Sequence, residues 1–325
     1  MLSRHFLRAK VLQAVYAAQA DPVDLAVVER NFKHHVLRLN DLGITQISSM
    51  VHLVEVAADV MDEGERKFIP TEEERNPNRR LLSNQFIQRL ADNYDYRRQC
   101  DNANVNWGGV EFDEVFRQAF RQISASPQYQ SYLSSEPSFE ADKQYAIVLF
   151  KFLMCFEPLS DLLYRGSLLW EDDYEQIAQY NYMMLKTIGD SFDEASVLPP
   201  IHDMRSEQGE ETFDFARQLL LATLRHTEDT GELIRKYLKG WELERVAGMD
   251  VLLLNMAVAE LTEFPSIPER VTVDEYIELS KEFSTERSRL FINGILDKLI
   301  AELRRAGRIN KTGRGLLDPN FEEEN

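Results

Sequence analysis

The sequence predicts an all-α fold. Apolar residues recur at helical spacing along nearly the whole 325-residue chain, and no alternating strand pattern is longer than four residues. The predicted breaks fall in segments rich in proline, glycine or asparagine, such as IPTEEERNPNRR at 69–80 and DNANVNWGG at 101–109. The chain is therefore expected to be a succession of helices joined by loops.

The first helix is predicted within LSRHFLRAKVLQAVYAAQ. Leu7, Val11 and Val15 lie on one stripe of this segment, as in an amphipathic helix. A helical stretch then runs to about residue 68, with a break predicted near Gly43 because glycine is a poor helix former. Further helices are predicted at about 84–100, 111–124, 127–134, 138–155, 158–165, 172–188, 210–226, 229–239, 244–262, 272–282 and 287–306.

Several local signals refine these helices. Ser83 is predicted to cap the helix that follows it, and Thr272 with Glu275 has the spacing of a capping box. The helix at 244–262 has a broad apolar surface, which predicts burial on most sides. Gly294 is predicted to let another backbone approach the last helix closely; a merely tolerated glycine is the alternative.

Composition is typical of a soluble globular protein. Hydrophobic residues make up 44% and charged residues 28%. No apolar run approaches the length of about 20 residues that a membrane helix needs, and the N-terminus lacks a signal-peptide pattern. Cys100 and Cys155 have no paired spacing, so we expect neither a disulfide framework nor a cysteine metal motif. A cytoplasmic location follows from this cysteine usage.

Charge is distributed unevenly. The chain carries a formal net charge of −18, yet residues 1–20 carry +3 and residues 303–317 carry +5, whereas residues 21–206 carry −13. This negative balance argues against a protein that binds nucleic acid over its whole surface, because affinity for phosphate needs cations. The two basic ends predict one local basic site if the fold brings them together.

No motif points to catalysis, a cofactor or a metal. The chain has neither of the common glycine-rich nucleotide loops, no nucleophile elbow and no histidine pair at zinc spacing. The carboxylates of WEDDYE at 170–175 are favoured at the first turn of a helix, which is a simpler explanation than a cation site. The residues themselves therefore offer no candidate catalytic or cofactor site, and on this ground an enzyme remains possible.

The first helix carries cations without acids. Arg4 and Arg8 lie four residues apart at the edge of its apolar stripe and are expected to project outward near the positive end of the helix dipole. Repulsion between these cations and the helix dipole costs stability, so binding of an anionic partner would explain why arginines occupy these positions. A basic N-terminus without a role is the alternative, and composition alone does not decide between them.

Several segments resemble the NusB family of bacterial transcription antitermination factors. They are LRAKVLQAVYAAQ near the N-terminus and, in order, FARQLLLATLRHTEDTGELIRKYL, ERVAGMDVLLLNMAVAEL, IPERVTVDEYIELSKEFS and SRLFINGILDKL. The resemblance implies two packed helical bundles of NusB type, with a large helical insertion after the first helix, at about 22–206. It also implies a protein that is not an enzyme and has no cofactor. The implied domains are 1–240, a C-terminal bundle at 241–306 and a flexible charged tail at 307–325.

The resemblance also implies an RNA-binding site. Arg4 and Arg8 match arginines of the family's RNA-contacting helix, while Tyr16 and Phe291 match its aromatic residues, for which a place in the core is the alternative. Ser288 is expected to bond a phosphate or a base edge. Arg287 stands where the family often has aspartate and adds positive charge, and Lys10 is included by charge alone.

The partners follow from the same resemblance. It implies binding of single-stranded boxA RNA of ribosomal RNA transcripts together with the ribosomal protein NusE, within an RNA polymerase antitermination complex that promotes transcription of ribosomal RNA. Glu244 and Asp250 match acidic positions that face NusE; ordinary solvated charges are the alternative. A helical interaction scaffold that has lost RNA binding is the second hypothesis, because His5 and Phe6 occupy places where the family commonly has basic residues.

Overall fold

The computed structural model describes residues 2–21, 23–166, 170–238 and 248–316. Within these ranges the chain forms fourteen α-helices and no β-strand, which confirms the predicted all-α fold. The helices are α1 (Arg4–Ala20), α2 (Leu25–Glu65), α3 (Glu72–Arg75), α4 (Gln85–Asp92), α5 (Tyr94–Ala103), α6 (Val110–Ser124), α7 (Pro127–Ser134), α8 (Phe139–Met154), α9 (Glu157–Gly166), α10 (Tyr174–Thr187), α11 (Glu207–Leu238), α12 (Gly248–Glu263), α13 (Glu269–Phe283) and α14 (Ser288–Arg305). No helix in the described ranges is long and apolar enough to cross a membrane.

The chain divides into two compact units. The inserted unit is His35–Asp203, and the terminal unit combines Leu2–His34 with Met204–Asn325. The inserted unit lies inside the insertion predicted at 22–206. The predicted boundary after residue 240 does not coincide with this division, because α11 and α12 pack against each other within the terminal unit.

Several predicted helix ends need correction. Asn84, rather than Ser83, caps α4 by accepting a hydrogen bond from the Ile87 amide, and Asn93 starts a separate helix, α5. The segment at 69–80 is not wholly a loop, since Thr71 and Glu74 form a capping box on the short α3. The helices predicted at 210–226 and 229–239 are not separate, because residues 210–238 all belong to the single α11, whose buried Thr230 and Ile234 continue its apolar side. Residue 239 lies outside the described residues.

The inserted unit packs around α8. Leu149, Phe150 and Leu153 of this helix are almost fully buried, and α4, α7, α9 and α10 all contact it. The rings of Tyr132 on α7 and Tyr145 on α8 stack with centres 4.1 Å apart. Aromatic and aliphatic burial on α8 therefore supplies the central contact of this unit.

Gly43 does not break α2, contrary to the sequence prediction. A Cβ atom at this position would lie 2.5 Å from Ile201 Cγ1, and the Gly43 carbonyl accepts a hydrogen bond from the Asn181 side chain at 2.9 Å. The glycine therefore allows close packing against two other segments of the inserted unit. Gly294 is predicted to allow close approach of another backbone, and this is wrong. No heavy atom lies within 4 Å of a Cβ placed there.

Helix α12 forms the centre of the terminal unit. It contacts α1, α11, α13 and α14, and residues 252–261 are all buried, which confirms the predicted burial on most sides. Residues 307–316, predicted as part of a flexible tail, instead follow a defined path: the Thr312 amide donates to the Pro265 carbonyl at 2.9 Å, and Lys311 Nζ donates to the Phe264 carbonyl at 3.0 Å. The rest of the predicted tail, 317–325, lies outside the described residues.

The two helical glycines predict opposite effects of alanine. Gly43→Ala should lower the free energy of unfolding, because overpacking costs about 1–3 kcal/mol and outweighs the gain in helix propensity of about 1 kcal/mol. Gly294→Ala, the matched control, should raise the free energy of unfolding by about 1 kcal/mol. Denaturant unfolding of both variants measures the difference, and equal stabilisation by both would contradict the packing role of Gly43.

Candidate nucleic-acid interface

Helix α1 is held in the terminal unit by its apolar face. Ser3 caps it by accepting a hydrogen bond from the Phe6 amide at 3.1 Å. Leu7, Val11 and Val15 are fully buried, as the predicted stripe requires, and the helix packs against α11 and α12. Burial of this face fixes which side chains of α1 reach the surface.

Arg8 does not project into solvent, which corrects the expectation for this residue. Its side chain is 2% exposed. Arg8 Nε and Nη2 donate to the two carboxylate oxygens of Glu260 on α12, at 2.7 and 2.8 Å. Glu260 is fully buried, so Arg8 supplies the counter-charge that a buried carboxylate needs.

The pair is part of a larger polar network. Glu260 also accepts hydrogen bonds from Thr272 Oγ1 at 2.9 Å and from the Tyr276 hydroxyl at 3.3 Å, both on α13. Arg8 Nη1 lies 3.3 Å from Glu275 Oε2. Thr272 and Glu275 therefore serve this network and do not form the predicted capping box; α13 already begins at Glu269.

The network shifts the titration of its members. Burial opposes the charge of Arg8, but hydrogen bonding and the charge of Glu260 raise the pKa of Arg8 above its ordinary value. Burial and the neighbouring Glu260 charge raise the pKa of Tyr276, which keeps its phenol protonated as a donor. Arg8 thus remains a cation, and Tyr276 remains a hydrogen-bond donor, across the ordinary pH range.

His5 extends the network toward the surface. Its Nδ1 lies 2.7 Å from Glu275 Oε2 and its Nε2 lies 3.0 Å from Glu282 Oε1. Burial lowers the pKa of His5, but hydrogen bonds and charges from the two glutamates outweigh this effect and raise the pKa above 6.5. When the ring is protonated, it donates to both glutamates and ties α1 to two positions of α13 that lie about two turns apart.

The other candidates on α1 differ in exposure. The Arg4 side chain is 41% exposed, and its Nη2 donates to Glu211 Oε1 at 3.0 Å. Tyr16 is 57% exposed, which places it at the surface and not in the core. Lys10 is 8% exposed, and its Nζ donates to Gln13 Oε1 at 2.6 Å. Arg4 and Tyr16 are thus the α1 candidates that a partner can reach directly.

The candidates on α14 are mostly internal. Ser288 is 2% exposed and donates to Asp250 Oδ2 at 2.9 Å, while Phe291 is 8% exposed. These positions differ from the expectation of free contacts with a phosphate or a base. Arg287 is exposed at the start of the helix, and Leu290 on the same turn is 76% exposed.

Asp250 also proves to be internal. It is 4% exposed, and its two carboxylate oxygens accept from Ser284 Oγ at 2.6 Å and Ser288 Oγ at 2.9 Å. Asp250, predicted to contact the partner, and Ser288, predicted to contact RNA, are therefore hydrogen-bonded to each other. Both residues hold α12 against the start of α14. Glu244, the other predicted partner contact, lies outside the described residues.

Sequence reasoning missed the residues that organise α1. Glu260 lies in the apolar run MDVLLLNMAVAEL, and an acid within a helix buried on most sides requires a counter-charge. That signal is present in the sequence. Phe215 on α11 gave no comparable signal, although the guanidinium carbons of Arg4 and Arg8 each lie 5.0 Å from the centre of its ring.

The described residues contain no group of three or more acidic, histidine or cysteine side chains that could hold a metal ion. Among the predicted site residues, the exposed or partly exposed cationic and aromatic side chains are Arg4 and Tyr16 on α1 and Arg287 at the start of α14.

Comparison with known proteins identifies the family. The transcription antitermination protein NusB of Salinibacter ruber is 39% identical over 146 residues, which cover 45% of this chain and 89% of that protein. The chain belongs to the NusB family. The family model itself matches residues 177–301 of this NusB-family chain.

Other relatives match a smaller part of their own length. The transcription antitermination protein NusB of Chloroherpeton thalassium is 36% identical over 105 residues, or 32% of this chain and 50% of that protein. The same-named protein of Symbiobacterium thermophilum is 41% identical over 97 residues, or 30% of this chain and 63% of that protein. No solved structure matches the chain.

The buried ion pair of this NusB-family chain can be tested by a double-mutant cycle. Arg8→Met should lower the free energy of unfolding by about 3–5 kcal/mol, because it leaves Glu260 buried without a counter-charge. Arg8→Met/Glu260→Met should be less destabilised than Arg8→Met. Arg4→Met, which removes a partly exposed ion pair, is the control and should change stability by at most about 1 kcal/mol. Additive losses in the cycle would contradict the coupling.

The position of His5 predicts a pH-dependent stability. Its folded-state pKa is raised, so its contribution is fully present below pH 6.5 and is lost as the pH rises through the folded-state pKa. His5→Gln should therefore destabilise the protein most in acid and progressively less toward alkaline pH. Unfolding measured between about pH 5 and 9 tests this. In a Glu282→Gln background the pH dependence should shrink, and an unchanged dependence would argue against the interaction.

Proposed function

We propose that this protein is a transcription antitermination factor that binds boxA-type single-stranded RNA of ribosomal RNA transcripts together with NusE, and so promotes transcription of ribosomal RNA. The support is membership of the NusB family, whose relatives carry the name transcription antitermination protein. The exposed ring of Tyr16 and the partly exposed Arg4, which lie at opposite ends of α1, are the observation that favours an RNA surface.

The chemistry of these side chains fits a single strand. An arginine neutralises phosphate, and an exposed aromatic ring stacks an unpaired base for about 1–3 kcal/mol. Arg287 adds an exposed cation at the start of α14. Arg8, Lys10, Ser288 and Phe291 stay in the proposed site as supporting residues, because their buried positions hold the helices that carry the exposed side chains.

The proposed partner surface faces a basic protein. Glu244 is proposed to face NusE, since acid against a basic partner favours association and orientation. Asp250 is proposed to act there through the turn that it holds with Ser284 and Ser288. We place this action in the cytoplasm, within an RNA polymerase antitermination complex, without catalysis.

The competing proposal is a scaffold that binds NusE but not RNA. The burial of Arg8 and Lys10 favours it, because both cations then contribute less to a phosphate-binding surface. The two proposals differ in whether a labelled RNA binds at all.

Fluorescence anisotropy of labelled boxA RNA, with scrambled RNA as the comparison, tests the proposal with and without NusE. Tyr16→Ala should weaken binding by about 1–3 kcal/mol, because the ring no longer stacks on a base. Arg4→Gln should weaken binding and reduce its dependence on salt, because one phosphate is no longer neutralised.

Matched controls come from the inserted unit. Tyr94 is 62% exposed, and the Arg38 side chain is 44% exposed and ion-paired with Asp41, so Tyr94→Ala and Arg38→Gln match the test variants. Both should bind as the wild type does. Equal affinity for boxA and scrambled RNA, or equal weakening in test and control variants, would reject the proposed site. NusE binding without RNA binding would leave the scaffold.

A further inference from the structure

The inserted unit contains a local cluster of cations despite its acidic composition. Residues 35–203 include 28 acidic and 15 basic residues, and only four of these are lysines. Lys143 and Lys151 lie on α8, and Lys186 lies on α10, which packs against α8. Three of the four lysines thus belong to one pair of helices.

Two of these lysines lie over the ring of one tyrosine, and the third contacts the same helix. The Nζ atoms of Lys151 and Lys186 lie 4.3 and 5.2 Å from the centre of the Tyr182 ring. Lys143 Nζ donates to the carbonyl oxygen of Lys186 at 2.8 Å. The ammonium groups of Lys143 and Lys151 therefore reach α10, the helix that carries Lys186 and Tyr182.

The cluster has no acidic counterpart. In the described part of the chain, no carboxylate forms an ion pair with Lys143, Lys151 or Lys186. The hydrogen bond from Lys151, together with the charges of both nearby lysines, lowers the pKa of the Tyr182 phenol, as expected where positive potential is concentrated. Lys151 and Lys186 lie in the last turns of α8 and α10, whose negative dipole ends help to hold the cations together.

We propose that Lys143, Lys151, Lys186 and Tyr182 form a second RNA-binding site, which contacts the phosphodiester backbone of single-stranded RNA. This extends the proposed function, which already brings RNA to the protein. Phosphates bound at these ammonium groups relieve their mutual repulsion and use donors that no carboxylate occupies in the described part of the chain. Recognition through phosphates makes this site independent of RNA sequence.

The spacing of the lysines favours a polymer. Lys143 and Lys151 are eight residues apart on α8, about 12 Å along the helix axis, which is more than the oxygens of one phosphate can bridge. The neighbouring Met183 is 52% exposed and offers an apolar surface for a base. A single strand needs only this local cluster, whereas the net negative charge of the unit disfavours a broad anionic surface such as a membrane.

The test compares two triple variants of the full chain. Lys143→Gln/Lys151→Gln/Lys186→Gln removes the cluster. Lys67→Gln/Arg75→Gln/Arg98→Gln makes the same change in charge within the same unit, at exposed side chains that are ion-paired with carboxylates. Circular dichroism and unfolding midpoints check that both variants fold.

Binding of a labelled oligouridine of about 20 nucleotides is measured as a function of salt. The cluster variant should bind about tenfold or more weakly, and the slope of its salt dependence should fall by about 0.7 for each phosphate that it no longer neutralises. The control variant should change much less. Equal weakening in both variants, or no binding of oligouridine by the wild type, would overturn the proposal.

Further arms distinguish other ligands. If uridine monophosphate or inorganic phosphate displaces the labelled oligouridine as well as the unlabelled oligomer does, the cluster binds a single phosphate and not an RNA backbone. Binding to phosphatidylserine vesicles in preference to oligouridine would assign the cluster to membranes. Both results overturn the proposal. If Tyr16→Ala loses its preference for boxA but binds oligouridine as before, the second site is separate from the first. If boxA does not bind to the protein at all, the oligouridine measurements still test whether the lysine cluster binds RNA.

Discussion

The terminal unit depends on how it accommodates one buried carboxylate. Glu260 lies in α12, the helix that four other helices surround, and is fully buried. An ionised carboxylate in such a place is tolerated only with a paired cation and saturated hydrogen bonds. Arg8 provides the cation, while Thr272 and Tyr276 provide further donors. The pair therefore fixes α1 and α13 against α12, and with them the outward direction of Arg4 and Tyr16.

This arrangement divides the basic residues by role. Arg8 and Lys10 are buried, whereas Arg4 and Arg287 have guanidinium groups that a partner can approach. A cation count along the first helix thus overstates the positive charge available to a ligand. In the inserted unit, a count of charges understates the positive charge available to a ligand. The unit is negative overall, but it contains a group of lysines that lack acidic partners among the described residues. Net charge describes long-range attraction, while local pairing decides which cations remain available.

The sequence predicted helices well where periodicity controls them and poorly where a tertiary interaction does. The apolar stripe of α1 and the burial of α12 follow from side-chain spacing, which the amino-acid order contains directly. The burial of Arg8 does not, because a helical wheel shows polarity but not a carboxylate on another helix. The same limit applies to Ser288 and Asp250, which look like surface residues until the fold joins them. The predicted break at Gly43 is wrong because the glycine makes room for the side chain of Ile201 and does not end the helix. Ile201 is distant in sequence, so this contact could not be predicted from the local pattern.

The pairing of Arg8 with Glu260 also sets an order for folding during synthesis. The inserted unit is complete in sequence by Asp203, but α1 must wait for a carboxylate 252 residues farther along the chain. At elongation rates of roughly 5–20 residues per second, that wait is roughly 10–50 s. During it, Leu7, Val11 and Leu12 have no finished core to enter. The apolar face of α1 thus emerges well before its partner helices, whereas the inserted unit is already complete in sequence.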